Sequence, residues 1–351
     1  MSDTNSKIDI RTFSKSELQT YFKSKNHPSY RADQVYQWLW NKGVSSFEEM
    51  TNLSLELRAF LQAYFEIRNV TNLHAQKSDD GTLKNAVKLH DELVVESVLI
   101  PTEKRTTACV SSQVGCSLDC KFCATAQLKR MRNLNADEIF DQVKLIDRQS
   151  RTIYKRPLSN IVFMGMGEPL MNYNNVLKAI EIITSKEGLH MSPKRITLST
   201  SGIPKLIKKL ADDNAKINLA LSLHSARQEV REQIMPFAKK FPIEDLIDAL
   251  QYWYSQTKSR VTLEYLVWKG VNDTQADIKA LLDFCKKTVC KVNIIEYNSI
   301  DDDKFQQADN ATIEAYVRAL EAQKVTVTVR RSRGKDIDAA CGQLANKSVN
   351  L

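Results

Sequence analysis

The sequence predicts an α/β protein: a partial, open (β/α)6 barrel preceded by an N-terminal helical domain and a small β region. Three observations carry this. The first 70 or so residues show helical periodicity only; residues 72–108 carry a turn signal and strand-like alternation; from about residue 109 short apolar strands alternate with amphipathic helices. At 351 residues the chain is long enough for two domains, or a barrel with an appendage, and buries a core without disulfide or metal staples.

The first helix is expected over 14–25, opened by Ser14 with Glu17 three residues later, the signature of a capping box. A second, over 31–42, sets Val35, Trp38 and Leu39 on one face. A third, over 53–67, repeats the pattern with Leu57, Phe60, Leu61, Tyr64 and Phe65. Tyr36, Trp38 and Trp40 have rings that stack on RNA bases, but their periodicity makes bundle core the better reading. Asp79-Asp80-Gly81 is a turn, and 92–100 alternates as a strand.

Beyond it, strands are expected at 160–166, 195–199, 217–224, 260–267, 292–297 and 325–329. Helices are expected at 174–186, 203–212, 244–257, 274–287 and 311–323. That rhythm indicates parallel βαβ units, in too small a number for a closed eight-unit barrel. The expected division is a helical domain over 1–72, a β linker over 73–108, the barrel over 109–330 and a C-terminal segment over 331–351. In such barrels the reactive groups lie at the C-terminal strand ends, which is where Glu168, Ser199, Ser222, His224 and Asn298 fall.

Lys and Arg total 50 against 42 Asp and Glu, a net charge of +8. These figures exclude collagenous, mucin-like and acidic disordered chains, and they permit a nucleic-acid partner. No run of about 18 apolar residues suggests a membrane span. The N-terminus lacks the apolar stretch of a signal peptide, so a cytoplasmic protein is expected. Seven cysteines in such a chain are not a disulfide framework. Three of them, in Cys116-Ser-Leu-Asp-Cys120-Lys-Phe-Cys123, suit a soft, sulfur-loving centre. A structural zinc takes four ligands, and no partner pair accompanies these three. Three thiolates hold three irons of a 4Fe–4S cluster and leave the fourth open to another ligand.

CxxxCxxC in a partial (β/α) barrel resembles the radical S-adenosylmethionine (SAM) superfamily. The similarity extends through Ala108-Cys-Val-Ser-Ser-Gln-Val-Gly-Cys116, Arg132-Asn-Leu134, Met164-Gly-Met-Gly-Glu-Pro169, Leu198-Ser-Thr-Ser-Gly202, Leu221-Ser-Leu-His-Ser225 and Gly334-Lys-Asp-Ile-Asp-Ala-Ala-Cys-Gly-Gln-Leu344. Together these resemble the RlmN/Cfr family, and within it the RlmN-type adenine C2 methyltransferases of 23S rRNA and tRNA. The resemblance implies one 4Fe–4S cluster on Cys116, Cys120 and Cys123, and two SAM molecules per turnover. It implies an RNA substrate, adenine 2503 of 23S rRNA and adenine 37 of tRNA, and an external flavodoxin- or ferredoxin-like electron donor. A monomer is expected.

C2 of adenine has no lone pair to attack a sulfonium methyl, so radical addition replaces SN2 transfer. The resemblance implies that Cys341 first takes the methyl of one SAM, which requires its thiolate. A radical from the second SAM then activates that methyl, which adds to the base, and Cys109 releases the adduct as a disulfide forms. Glu96 corresponds to the proton acceptor. Gly167, Glu168, Ser199, Ser222, Leu223, His224 and Asn298 correspond to the SAM pocket. Arg330, Arg331, Arg333 and Lys335 are expected to favour the Cys341 thiolate or to meet phosphate. Basic clusters at 129–132, 205–209 and 239–240 read by default as solvated faces, and those flanking the cluster cysteines and Cys341 are the better candidates for RNA. Cys285 and Cys290 match no motif.

Two departures stand out: Ala126 where many relatives carry glycine, and the acidic run 301–303, which repels phosphate. The nearest alternative is a Cfr-type enzyme acting on C8 of the same adenine. From another class, the alternative is a non-catalytic iron–sulfur or zinc RNA-binding protein.

Overall fold

A computed structural model describes residues 7–300 and 304–346; the acidic run 301–303 lies outside the described residues. The chain opens with strand β1 (Ile8–Asp9), followed by helices α1 (Lys15–Ser24), α2 (Ser29–Gln37) and α3 (Leu55–Tyr64) and strand β2 (Phe65–Glu66). The Ser14 side chain accepts from Glu17 N–H and the Glu17 carboxylate accepts from Ser14 N–H, completing the expected capping box. The third helix ends earlier than its apolar pattern suggests. Phe65 turns extended (φ −128°, ψ 163°) because β2 pairs in parallel with β1, tying the ends of the helical domain together. Trp40 is buried and meets Phe140 edge-on at 5.2 Å, as a core residue should. Trp38 stays half-buried, with the Lys42 ammonium 4.0 Å from its ring.

Next come β3 (Thr71–Lys77), β4 (Leu83–Lys88), β5 (Val94–Pro101) and β6 (Thr106–Cys109), joined antiparallel. They form no separate linker: β6 pairs in parallel with β9 (Asn160–Phe163), so the meander extends the barrel sheet. The β6–β9 connection holds the two-residue strands β7 (Gln113–Val114) and β8 (Arg132–Asn133), with α4 (Ala124–Gln127) between them. It ends in α5 (Ala136–Tyr154), a helix the sequence reading missed. Its signals were present: an Asn135–Glu138 capping box and a stripe of Ile139, Phe140, Val143 and Ile146, all buried.

The parallel half continues through α6 (Tyr173–Thr184), β10 (Ile196–Thr200), α7 (Pro204–Asp212), β11 (Asn218–Ser222), α8 (Gln228–Ile234), α9 (Ile243–Thr257), β12 (Val261–Leu266), α10 (Gln275–Lys287), β13 (Cys290–Ile295), α11 (Asn310–Ala322) and β14 (Val327–Arg330). The ten-stranded order, β14-β13-β12-β11-β10-β9-β6-β5-β4-β3, is linear and leaves the barrel open. Strands covered on both faces are mostly apolar, and every residue of β12 is buried, its Thr262 and Glu264 included. No helix among the described residues is long and apolar enough to cross a membrane.

Candidate active site

The loop between β7 and α4 carries Cys116, Cys120 and Cys123. Gly115 sits at φ +72°, and a Cβ there would lie 2.4 Å from the Lys129 carbonyl, so only glycine lets the loop start against that segment. At its other end Lys121 N–H donates to Ile234 O (3.0 Å) and Phe237 N–H to Asp119 Oδ1 (3.0 Å), fixing the loop to the end of α8. Ala126 occupies the short α4 with its N–H on Cys123 O, a helical position that needs no glycine.

All three thiols line one cavity of about 240 Å³ at the C-terminal strand ends. Burial pushes each of them up, Cys116 to about 11, so without a cation they are neutral and binding iron releases protons. No three Cys, His, Asp or Glu side chains among the described residues converge on a single-ion site. Three thiols on one loop lining a common cavity would each hold one iron of a 4Fe–4S cluster.

The same cavity is lined by Gly167, Glu168, Ser199, Ser222, His224 and Asn298. Gly167 has φ +94°, and a Cβ there would lie 2.5 Å from the Gln113 side chain. Gln113 Oε1 in turn accepts from Glu168 N–H at 2.9 Å. The Glu168 carboxylate accepts from Leu170 N–H (3.0 Å) and Ser201 N–H (2.7 Å), which oppose the upward push of burial. His224 Nδ1 accepts from Leu266 N–H at 3.2 Å, and burial lowers its pKa to about 3, so the ring is neutral with its proton on Nε2. Asn298 donates to Glu296 O (3.3 Å) and Cys341 O (3.2 Å), while its buried Oδ1 has no partner. An orphaned acceptor on a cavity wall fits a ligand bearing N–H or O–H groups, as SAM does.

Cys109, at the end of β6, and Cys341 line the cavity too. Cys341 reaches it because the C-terminal segment docks on the cluster loop. Ala124 N–H donates to Gly342 O (2.7 Å) and the Thr125 hydroxyl to Leu344 O (2.6 Å), immediately after Cys123. Cys341 is accessible from the cavity, Cys109 buried. Burial pushes the Cys109 thiol up and desolvation inside the cavity the Cys341 thiol, and the Arg330 guanidinium opposes this at each. Of the other basic neighbours, Lys335 pairs with Glu296 at 2.6 Å, Arg331 faces the same carboxylate at 3.9 Å, and Arg333 donates to Asp80 O.

Two expected residues are not at the wall. Leu223 is fully buried in the core, its N–H on Leu221 O and Glu264 O, so it presents no surface to a ligand. Glu96 is fully buried on β5. One carboxylate oxygen lies 3.3 Å from Lys84 Nζ; the other accepts from Ala345 N–H (2.8 Å) and Asn346 N–H (3.0 Å). It therefore grips the segment that carries Cys341. Arg132, expected as an RNA contact, is bidentate to Glu138 and bound to Asp91. Lys208 and Lys209 pair with Asp248 and Asp213.

One cavity residue went unnoticed in the sequence. Glu264 on β12 is buried beside Asn293 Nδ2 (2.9 Å) and Arg330 (3.9 Å), and burial raises its pKa. An acid inside the apolar run 261–267 was the available signal.

Residues 110–285 match the radical SAM superfamily, and residues 8–67 the N-terminal domain of ribosomal RNA large subunit methyltransferases. The chain is 67% identical over 343 residues to a protein of Christiangramia forsetii described as a dual-specificity RNA methyltransferase RlmN, covering 98% of this chain and 97% of that one. A Flavobacterium johnsoniae protein with the same description is 64% identical, at 98% and 99% coverage. A crystal structure of a radical SAM methyltransferase from Sphaerobacter thermophilus superposes with a TM-score of 0.90 at 36% identity, covering 96% of this chain and 99% of that chain.

Proposed function

This chain belongs to the RlmN family of dual-specificity RNA methyltransferases in the radical SAM superfamily, and from that premise we propose that it methylates C2 of adenine 2503 in 23S rRNA and of adenine 37 in tRNA. One observation carries the reading: the three-cysteine loop, Cys109 and Cys341 share a cavity, with the Cys341 segment hydrogen-bonded to the helix that follows Cys123. A passive iron–sulfur or zinc protein has no use for two further thiols there.

When bound, the cluster and SAM supply a carbon radical by one-electron cleavage of SAM; the chain supplies the carriers and their placement. Cys341 loses its proton and attacks the SAM methyl, forming an S–CH3 bond as the sulfonium C–S bond breaks. Once that carbon is joined to C2, Cys109 attacks the Cys341 sulfur. An S–S bond forms as the C–S bond breaks, the departing methylene carbon keeps the electron pair and takes a proton to become the methyl, and an external reductant later restores both thiols. Arg330, facing both sulfurs, favours each thiolate.

Glu96 is the proton acceptor that the family resemblance implies; its carboxylate holds the amides of Ala345 and Asn346, so taking the C2 proton requires those bonds to open. Gly167, Glu168, Ser199, Ser222, His224 and Asn298 hold SAM, and the reaction takes place in the cytoplasm, where its RNA substrates are.

The test incubates anaerobically reconstituted protein with SAM, reductant and an rRNA fragment, and reads both macromolecules by mass spectrometry. Methyl is expected on Cys341 before it reaches RNA, and on C2 rather than C8. Cys341→Ala is expected to lose RNA methylation entirely. If that variant methylates RNA normally, the carrier role is wrong.

A further inference from the structure

Arg231, on α8, is fully buried, yet none of the ion pairs among the described residues includes it. Its Nη2 donates to Ser201 O at 2.6 Å, while Nε and Nη1 are buried without a partner. A buried unpaired cation costs several kcal/mol, and the cost is met in proteins by an anion in reach or by loss of the charge. Burial lowers the Arg231 pKa only to about 10, so the charge stays.

The missing anion is identified by what surrounds α8. The cluster loop is tied to the end of this helix through Lys121 on Ile234 O and Phe237 on Asp119. Cys120 and Phe237 pack in the same apolar cluster with Ile234 and Met235, and the Arg231 guanidinium stands 5.8 Å from the Phe237 ring centre. Asp119 and Lys121, the two neighbours of Cys120, thus both bond to the segment that follows Arg231; the Arg231 charge favours a thiolate at Cys120, and the Glu168 carboxylate opposes it. As neutral thiols the three cysteines offer Arg231 nothing. With iron and sulfide bound they become thiolates of an anionic cluster whose negative charge grows by one on reduction.

We propose that Arg231 is the fixed counter-cation of the cluster held by Cys116, Cys120 and Cys123, a positioning residue that sets the cluster's reduction potential. The proposal rests on the radical SAM reading of the three-cysteine loop. A dry cation behind Cys120 stabilises the reduced cluster more than the oxidised one, because the reduced form carries the greater negative charge. It thereby brings one-electron reduction within range of a biological donor.

The experiment compares anaerobically reconstituted wild type, Arg231→Gln and Arg231→Lys. Iron and sulfide are counted, and the midpoint potential is measured by electrochemical titration followed by electron paramagnetic resonance. Arg231→Gln is expected to disfavour reduction at least tenfold, a shift of about 59 mV to more negative potential for one electron. Arg231→Lys, which keeps the charge, is expected to recover most of it. A fully loaded Arg231→Gln protein with the wild-type potential overturns the proposal, as does a lysine variant shifted as far as the glutamine one. If Arg231→Gln takes up no cluster, the comparison moves to loading: restored iron in Arg231→Lys supports the counter-charge, and equal failure of both variants overturns it. Wild type that holds zinc, or no iron, would instead sink the family reading, so the two failures are distinguishable.

Discussion

His224 shows how one residue couples the cavity to stability. It adopts φ +55°, a left-handed backbone that His and Asn tolerate better than bulky residues. Its Nδ1 accepts from Leu266 N–H, and its ring meets Phe122 edge-on at 4.8 Å. Burial, with Arg231 adding to it, lowers the imidazole pKa from 6.5 to about 3. Below pH 6.5 the unfolded chain binds a proton that the folded chain refuses, so this residue makes stability rise with pH between about 3 and 6.5. Its contribution is fully present above that window and lost as pH falls through it. The slope is at most about 1.4 kcal/mol per pH unit. His224→Asn keeps the acceptor and tolerates the backbone, so it should remove this slope while folding normally. Urea unfolding of both proteins across pH 4.5 to 6.5 should give a stability difference that varies with pH; a constant difference would show that His224 titrates normally. The motif made this residue legible, because a His at a strand end is visible in the sequence. Glu264 was not, since a single acid in the apolar run of β12 reads as noise until Arg330 and Asn293 are seen beside it.

At the scale of elements, the helical domain is held to the barrel chiefly through α5. Arg11 reaches Asp137 at 3.1 Å and Asp141 at 2.9 Å, Lys144 and Arg148 donate to the carbonyls of Asn41 and Gly43, and Trp40 packs on Phe140. These contacts join residues separated by about a hundred positions, which explains why local periodicity found the three N-terminal helices but not what they rest on. The meander β3–β5 looks like a separate region in the sequence for the same reason. Alternation reveals strands, but only the β6–β9 pairing shows that they continue the barrel sheet. Trp40 and Phe140 are each almost wholly buried. Phe140→Ala removes one partner of a T-shaped pair and leaves a cavity, a loss of about 3–5 kcal/mol. Urea unfolding of the full chain measures it, and a loss under 1 kcal/mol would mean that this face is not a joint.

Across the whole molecule, the two ends of the barrel sheet's chemistry meet. β6, near the start of the parallel half, delivers Cys109, while the segment beyond β14 returns over the mouth with Cys341, anchored by Glu96 on β5, by Thr125 and by Asn298. No spacing rule predicts such a meeting. Only resemblance paired these two cysteines in the sequence, and their shared cavity gives the pairing a physical basis. The arrangement makes the order of events testable. In the mechanism proposed above, methyl transfer to Cys341 requires no second thiol, and neither does joining that carbon to RNA. Breaking the last C–S bond does, because the carbon leaves the Cys341 sulfur only when another sulfur attacks that sulfur. Cys109→Ala should therefore methylate Cys341 at the normal rate, couple to RNA once and stop. A protein–RNA species stable in denaturing gels should accumulate to about one per enzyme, and mass spectrometry should find Cys341 and the base bridged by one carbon. Multiple turnovers of free methylated RNA by this variant would remove Cys109 from the reaction and leave its place at the cavity wall a matter of packing alone.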